Sequence, residues 1–379
     1  MKVSKTLKNI TFKEYCDIKK YEYSIIKKSY FQGVYLPRYI DNLNKNAYME
    51  VKYPEIYVAK VYNVNLIGKQ SLVFDDDDYC IYDMPCRDIE NKFNLKCANT
   101  VYIDKEKTSI VYDDMTIDLI DEGIMLIANA SANYYHINFE VFSKLCLIEE
   151  LGLYPNIPII VDEVILSVPQ FKEELDKLNK SNRKVIYLKK GICYKVKKMI
   201  YVSELAVIPL NRRIGKTCEY GELAISELAI KLLNKNLAVE NVVSRKIFIS
   251  RKYSKNKRLE NYEAIEQMFL EFGYEPIYPD QISFDEQVKI FSQAKYIAGV
   301  SGAGLTNILF ANKGAKIICI MPKDVKTACY STIAGILGQE YYFIDAKLSA
   351  KKDQYAYYQS AFEVDEESVY EFLKNIHSK

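Results

Sequence analysis

No tryptophan occurs in this 379-residue chain, histidine occurs twice, and nowhere do about eighteen apolar residues run together. The last absence excludes a membrane-spanning helix. The opening stretch MKVSKTLKNITFKEY likewise lacks the apolar core of a secretory signal. The expectation is a soluble, cytoplasmic protein that is still free to associate peripherally with the inner face of a membrane. An excess of one charge is missing too: 52 Lys and Arg against 50 Asp and Glu leave a net charge of +2. That balance offers no electrostatic case for a nucleic-acid partner. Cysteine is present but unpaired in pattern. Cys16, Cys80, Cys86, Cys97, Cys146, Cys193, Cys218, Cys319 and Cys329 are odd in number, scattered, and contain no CxxC. Reduced thiols are expected, and neither a disulfide framework nor a zinc site.

The length suits two domains sharing a cleft. Residues 1–35, rich in Lys and Tyr, are expected to form helix starting at Thr11 or Asn9. Alternating runs such as Ile56–Tyr62, Ser71–Phe74 and Ser109–Tyr112 predict a β-rich portion over residues 50–118. Between two of these runs stands Asp75-Asp76-Asp77-Asp78, which reads as a charged hairpin tip; an Asp-x-Asp site for a divalent cation is the alternative. From Gly123 the pattern changes. Strands are expected at Ile124–Ile127, Pro158–Val161, Val185–Leu188 and Met199–Val202, with helices from Phe139 to Gly152 and near Phe171–Leu178. This predicts an α/β unit over residues 123–203 and a first domain over residues 1–203.

The richest stretch runs from Arg245 to Pro322. Lys246–Ser250 is a mostly apolar strand ending in Arg251 and Lys252. A helix from Glu260 to Phe272 follows, carried by Ile265, Met268, Phe269 and Phe272 and closed by Gly273. Ser283 and Glu286 have the spacing of a capping box ahead of the next helix. A strand over Tyr296–Val300 leads into Ser301-Gly302-Ala303-Gly304, then a helix over Leu305–Asn312, Gly314 and a strand over Lys316–Met321. Alternation of this kind predicts a parallel, doubly wound sheet over residues 204–345, with a helical tail over 346–379. Glycines between a strand and a helix also let backbone N–H groups turn toward an anion at the helix N-terminus.

This stretch resembles the family 61 glycosyltransferases, known from bacterial capsular polysaccharide proteins and from plant and animal xylosyl- and N-acetylglucosaminyltransferases. The resemblance rests on Ile249-Ser250-Arg251-Lys252, Arg258 with Glu260-Asn261, Phe284-Asp285-Glu286-Gln287, and Gly302-Ala303-Gly304-Leu305-Thr306-Asn307 with Phe310 and Gly314-Ala315. It is strongest over about eighty residues and fainter back to Gly123. It implies a GT-B-like plan, two Rossmann-like domains facing a cleft, in which the C-terminal tail often crosses back to the first domain. The implied activity is inverting transfer of a sugar from a nucleotide-sugar donor, with a UDP-sugar as the leading choice, to a glycan or lipid-linked oligosaccharide. Surface or capsular polysaccharide synthesis is the expected setting. Divalent-metal dependence stays open.

The residues take roles accordingly. Arg251 offers a planar fork for phosphate, and Lys252 and Arg258 add charge, against the plain reading of a solvated basic strand end that also covers Lys255 and Lys257. Asn261 either contacts donor or caps its helix; Glu286 either binds ribose or only completes the capping box. Ser301, Gly302, Ala303 and Gly304 form the cradle, with Thr306 and Asn307 beside it. His136 follows Asn133-Tyr134-Tyr135 in the first turn of a helix, where the positive end of the dipole disfavours a charged ring. It is the candidate base for the acceptor hydroxyl; a core histidine is the alternative, and His377 lies in the C-terminal fringe. The family usually carries His immediately before the Gly-Ala-Gly, and here Ser301 replaces it. A regulatory relative without turnover is therefore a second reading. An NAD-dependent oxidoreductase is a third, since Gly302–Asn307 half-matches GxGxxG, though without the third glycine and after the third strand of its domain.

Overall fold

The computed structural model describes residues 2–40, 48–83, 100–103, 106–208, 219–254, 257–349 and 360–378; Cys86, Cys97, Cys218 and Lys255 lie outside them. The chain contacts divide it into two units, Met1–Gln32 with Lys52–Arg212, and Gly33–Val51 with Arg213–Lys379.

In the first unit Thr11 starts a helix as expected. Its hydroxyl accepts the Glu14 N–H, the Glu14 carboxylate accepts the Thr11 N–H, and Phe12–Lys19 follows. The rest of the N-terminal stretch corrects the expectation of helix: Lys2–Ile10, Tyr23–Lys27 and Tyr30–Tyr35 are strands. The cause is non-local. Lys2–Lys8 pairs antiparallel with Asp113–Lys107, about a hundred residues away. Lys8–Ile10 also pairs parallel with Tyr79–Ile81. From there the pairing passes through Val73–Phe74, Ile56–Ile67 and Ile192–Val202 back to Lys107–Met125, so it closes on itself. Leu7, Ile67, Phe74, Cys80, Ile110 and Cys193 fill one core cluster there.

The 19-residue strand Lys107–Met125 is the seam. Its first part pairs with Lys2–Lys8, and its last part joins Ile192–Val202, Ile159–Asp162 and Val185–Leu188 in parallel. The β-rich and α/β portions, expected as neighbours, therefore share one sheet. Asp75 explains the acidic run as turn chemistry between Val73–Phe74 and Tyr79–Ile81: its Oδ1 accepts the N–H groups of Asp77 and Tyr79 at 3.1 and 2.9 Å.

The second unit carries five parallel strands in the order Glu275–Ile277, Arg245–Ile249, Ala294–Val300, Lys316–Met321, Glu340–Asp345. On one face Phe248, Ala298, Val300, Ile318 and Ile320 pack against the helices Tyr262–Glu271 and Glu366–His377. The final helix thus sits on the sheet of its own unit through Val369, Phe372, Leu373 and Ile376, where the resemblance implied a crossing to the first domain. His377 is no fringe residue either. Its ring lies 4.6 to 6.1 Å from those of Tyr296, Tyr274 and Phe272. Burial, with Lys246, Lys316 and Lys295 nearby, pushes its pKa down to about 4.

Candidate functional site

Numbered along the chain, the five parallel strands of the second unit run 2-1-3-4-5. In such a sheet the connections leave strands one and three in opposite directions, and a crevice opens beyond their carboxyl ends. Arg251 stands beyond strand one, Arg245–Ile249; Ser301 to Gly304 stand beyond strand three, Ala294–Val300. Sequence-distant residues of the motif therefore meet at one edge.

Arg251 is held from behind. Its N–H donates to the Tyr262 hydroxyl at 2.6 Å, and that hydroxyl also pairs with Ser250 Oγ at 2.8 Å. Its guanidinium lies against Gly302, where a Cβ would come within 2.4 Å of Nη2. Nη1 is buried and has no hydrogen-bond partner among the described residues. Burial lowers the Arg251 pKa, and the groups that oppose this shift are Tyr330, Tyr262 and Cys319, not a carboxylate.

Arg258 reaches the same place by another path. Its φ of 59° is left-handed, a conformation that costs a non-glycine residue roughly 1–2 kcal/mol. The strand Phe362–Glu363 clamps it: Phe362 N–H donates to Arg258 O at 2.9 Å, and Glu260 N–H donates to Phe362 O at 2.8 Å. Arg258 Nη2 donates to the Ser301 carbonyl. Burial, then the like charge of Arg251, pushes its pKa down to about 10, so the Arg258 guanidinium stays charged near neutral pH. Two half-buried cations that repel each other favour an anion beside them.

The glycine loop corrects one expectation. Ala303–Phe310 is a 3-10 helix, not an α-helix over Leu305–Asn312. Its hydrogen-bond geometry aligns fewer peptide dipoles, so the positive field comes chiefly from the guanidinium groups. Gly302 is extended, with φ of 167°, and is needed for closeness, not for a left-handed turn. Gly304 serves similarly: a Cβ there would lie 3.1 Å from Ile249 Cγ2. Ala303 opens the 3-10 helix. Ser301 is 6% exposed, contributes its carbonyl to Arg258, and directs its hydroxyl to the Cys319 thiol.

The other sequence candidates are engaged elsewhere. Lys252 is exposed and lies over the Tyr253 ring. Asn261 makes no cap bond; its Nδ2 donates to Val364 O at 2.8 Å and Glu366 Oε1 at 3.1 Å. It fastens the segment that clamps Arg258. Glu286 completes the capping box with Ser283 and is exposed; hydrogen bonds from Ser283 lower its pKa. Asn307, fully buried, donates to Gln287 Oε1 at 2.9 Å. Thr306 is fully buried with its hydroxyl unpartnered, so it is the second orphan polar group on these elements.

His136 belongs to the first unit. It follows the carboxyl end of Lys107–Met125, on a helix that begins at Tyr134–His136, widens to a π-helix over Ile137–Phe142 and returns to α at Ser143–Glu150. Asn133 caps it, accepting the N–H groups of Tyr135 and His136 at 2.9 and 3.4 Å. The ring Nδ1 meets Glu140 Oε1. The preceding loop is tied to the next strand: Ser131 Oγ donates to Asp162 Oδ2 at 2.5 Å, and Lys69 N–H donates to Oδ1 at 2.6 Å. Burial pushes the Asp162 pKa up to about 6.

Sequence reading missed Tyr262, Tyr330 and Glu140. Tyr330 donates to the Gly302 carbonyl at 2.8 Å and so braces the loop from the Cys329–Ile336 helix. With 33 tyrosines in the chain, neither tyrosine carried a signal. Glu140 did: it stands four residues after the histidine, a helical neighbour spacing.

No curated protein matches the chain. The family model described as Glycosyltransferase 61 matches residues 134–318, an interval that begins two residues before His136 and contains both guanidinium groups and the glycine loop. Over residues 134–318 the chain is thus similar to the glycosyltransferase 61 family, whose general activity is transfer of a sugar from a donor to an acceptor.

Proposed function

We propose that this protein is an inverting glycosyltransferase of the GT-B plan that takes its sugar from a nucleotide donor, a UDP-sugar in the first instance. The observation that carries the reading is half-buried Arg251 at the switch point of a parallel sheet, with Arg258 beside it and with its own Nη1 lacking a hydrogen-bond partner among the described residues. A diphosphate there supplies an anion for these cations, and its charge grows as the glycosidic bond to it breaks. Arg251 Nη1 is a donor without an acceptor, so a phosphate oxygen there removes a desolvation cost while gaining a charge-assisted bond.

His136 is the base in this reading. The proton of the acceptor hydroxyl passes to the imidazole, the hydroxyl oxygen bonds to the anomeric carbon, and the electron pair of the breaking bond leaves with the diphosphate. The acceptor is a glycan or lipid-linked oligosaccharide at the cytoplasmic face of the membrane, in surface polysaccharide synthesis. Ser301 in place of the family's histidine favours the second reading, a nucleotide-binding relative without turnover. Against it, Arg258 places a permanent cation on the Ser301 carbonyl, where it can serve the departing charge instead of an imidazolium.

The deciding measurement is thermal shift against UDP, GDP, CDP, CMP, ADP and NAD. A ligand at about 100 times its dissociation constant stabilises by about 2.7 kcal/mol. Stabilisation by one nucleoside diphosphate is expected. A response to NAD alone overturns the reading in favour of an oxidoreductase. Turnover with the sugar nucleotide of the responding diphosphate then separates an enzyme from a binding relative.

A further inference from the structure

The contact between His136 and Glu140 is unequal in a telling way: the histidine side chain is 28% exposed and the glutamate side chain only 4%. An ionised carboxylate accepts hydrogen bonds and donates none, so Nδ1 of the ring must carry the proton at this contact. In the neutral ring the free lone pair is then on Nε2. Other groups fix the same ring. Asn133 caps the backbone of Tyr135 and His136, and the Tyr135 ring stands at 89° to the imidazole with centroids 5.4 Å apart. Glu140 itself lies in the π-helical stretch, a helix form that recurs at functional sites.

The charged groups facing Glu140 are also fixed. Glu140 acts through space on Glu204, which is paired with Lys144, whose Nζ donates to Glu204 Oε1 at 2.6 Å. Lys144 is one helical turn beyond Glu140 and is 2% exposed. His136, Glu140 and Lys144 thus form an i, i+4, i+8 row on which charge alternates once the histidine takes a proton.

We infer that Glu140 is a positioning residue: it locks His136 in the tautomer that leaves Nε2 as the proton acceptor, and it stabilises the imidazolium formed when the acceptor hydroxyl is deprotonated. The inference rests on the reading of His136 as the base, but the tautomer can be tested without any substrate.

The chain has only two histidines, which makes nitrogen-15 histidine NMR on the full-length protein decisive. His377, with its pKa depressed to about 4, is a neutral internal reference. At a pH where both rings are neutral, the wild-type His136 is expected to show protonated Nδ1 and bare Nε2. Glu140→Gln keeps an acceptor and is expected to keep that pattern, whereas Glu140→Ala shifts the proton toward Nε2. An unchanged tautomer in Glu140→Ala overturns the inference, whatever His136 does in catalysis. Turnover supplies the second arm, read as UDP release from a UDP-sugar. Glu140→Ala is expected to lower kcat by about tenfold or more with nucleotide affinity unchanged, within the range of a general base contribution. The double variant with His136→Ala should be no slower than His136→Ala alone, because the glutamate acts through the ring. Additive losses overturn the positioning role. If His136→Ala itself keeps wild-type turnover, the base reading fails separately, and with it the catalytic half of the inference, while the tautomer result stands.

Discussion

Two sets of charged side chains, one in each unit, are handled differently. In the first, Lys144 is matched by Glu204, and Arg183, fully buried at its side chain, is matched by Glu149 at 2.8 Å and by the carbonyl oxygens of Leu153 and Tyr154. In the second, half-buried Arg251 keeps its Nη1 without a hydrogen-bond partner among the described residues, and the groups that offset its desolvation are Tyr330, Tyr262 and Cys319. A donor taken out of water without an acceptor adds nothing to stability. The paired charges therefore read as framework, and the open Arg251 Nη1 as a place for an anion that comes from outside.

Breaking a matched pair should have the largest effect. Lys144→Met leaves Glu204 buried and alone, and the expected loss is about 3–5 kcal/mol of stability by chemical denaturation. Part of it is recovered near and below neutral pH, because burial already pushes the Glu204 pKa up to about 7 and protonation removes the stranded charge. A variant as stable as wild type would erase the contrast between the units. Arg251→Ala should behave in the reverse manner. Nucleotide binding, followed by calorimetry, weakens on the order of 1.5–3 kcal/mol, while the melting temperature without ligand does not fall in proportion. Unchanged affinity would take Arg251 out of the site. Gly302→Ala sharpens the comparison further. Its Cβ occupies the space of Arg251 Nη2, the end of a flexible side chain, so the guanidinium moves and the fold survives. The expected cost is roughly tenfold in nucleotide affinity, or about 1.4 kcal/mol.

The smallest effect concerns His377, which lies near Lys246, Lys316 and Lys295. Its folded pKa of about 4 lies below the ordinary 6.5. The unfolded chain therefore binds the proton first, and stability is full above pH 6.5 and lost as pH falls toward 4. His377→Phe keeps the ring stack and should flatten that part of the melting-temperature curve. An identical pH profile would show that the ring titrates normally.

Much of the second unit was legible because its strands and helices declare themselves by period. Ser283 with Glu286 specified a helix start, Gly273 and Gly314 take positive φ at the ends of elements, and the cations after Ile249 fell where a parallel strand delivers them. The failures have one physical source, which is partners distant in sequence. Lys2–Ile10 is a strand because Lys107–Asp113 completes its hydrogen bonds, and nothing local distinguishes it from a Lys-rich helix. Ala303–Phe310 is apolar nearly throughout, so no period separates a 3-10 from an α-helix. Asn261 and Asn307 had the right chemistry for a ligand, but Val364 and Gln287 already take their hydrogen bonds.

By itself the sequence determined the alternating α/β pattern, the turn chemistry at Asp75 and the motif that carries the family resemblance, and it offered Arg251, Arg258 and His136 as candidates. Those are properties of residue type and spacing. Only the tertiary structure decided which charges are matched. It set Arg251 against Gly302, turned Arg258 onto the Ser301 carbonyl through a clamp more than a hundred residues later in the chain, and gave His136 a buried carboxylate. Electrostatic pairing and desolvation depend on distance in space and on burial, and neither is a property of a residue until the chain has folded.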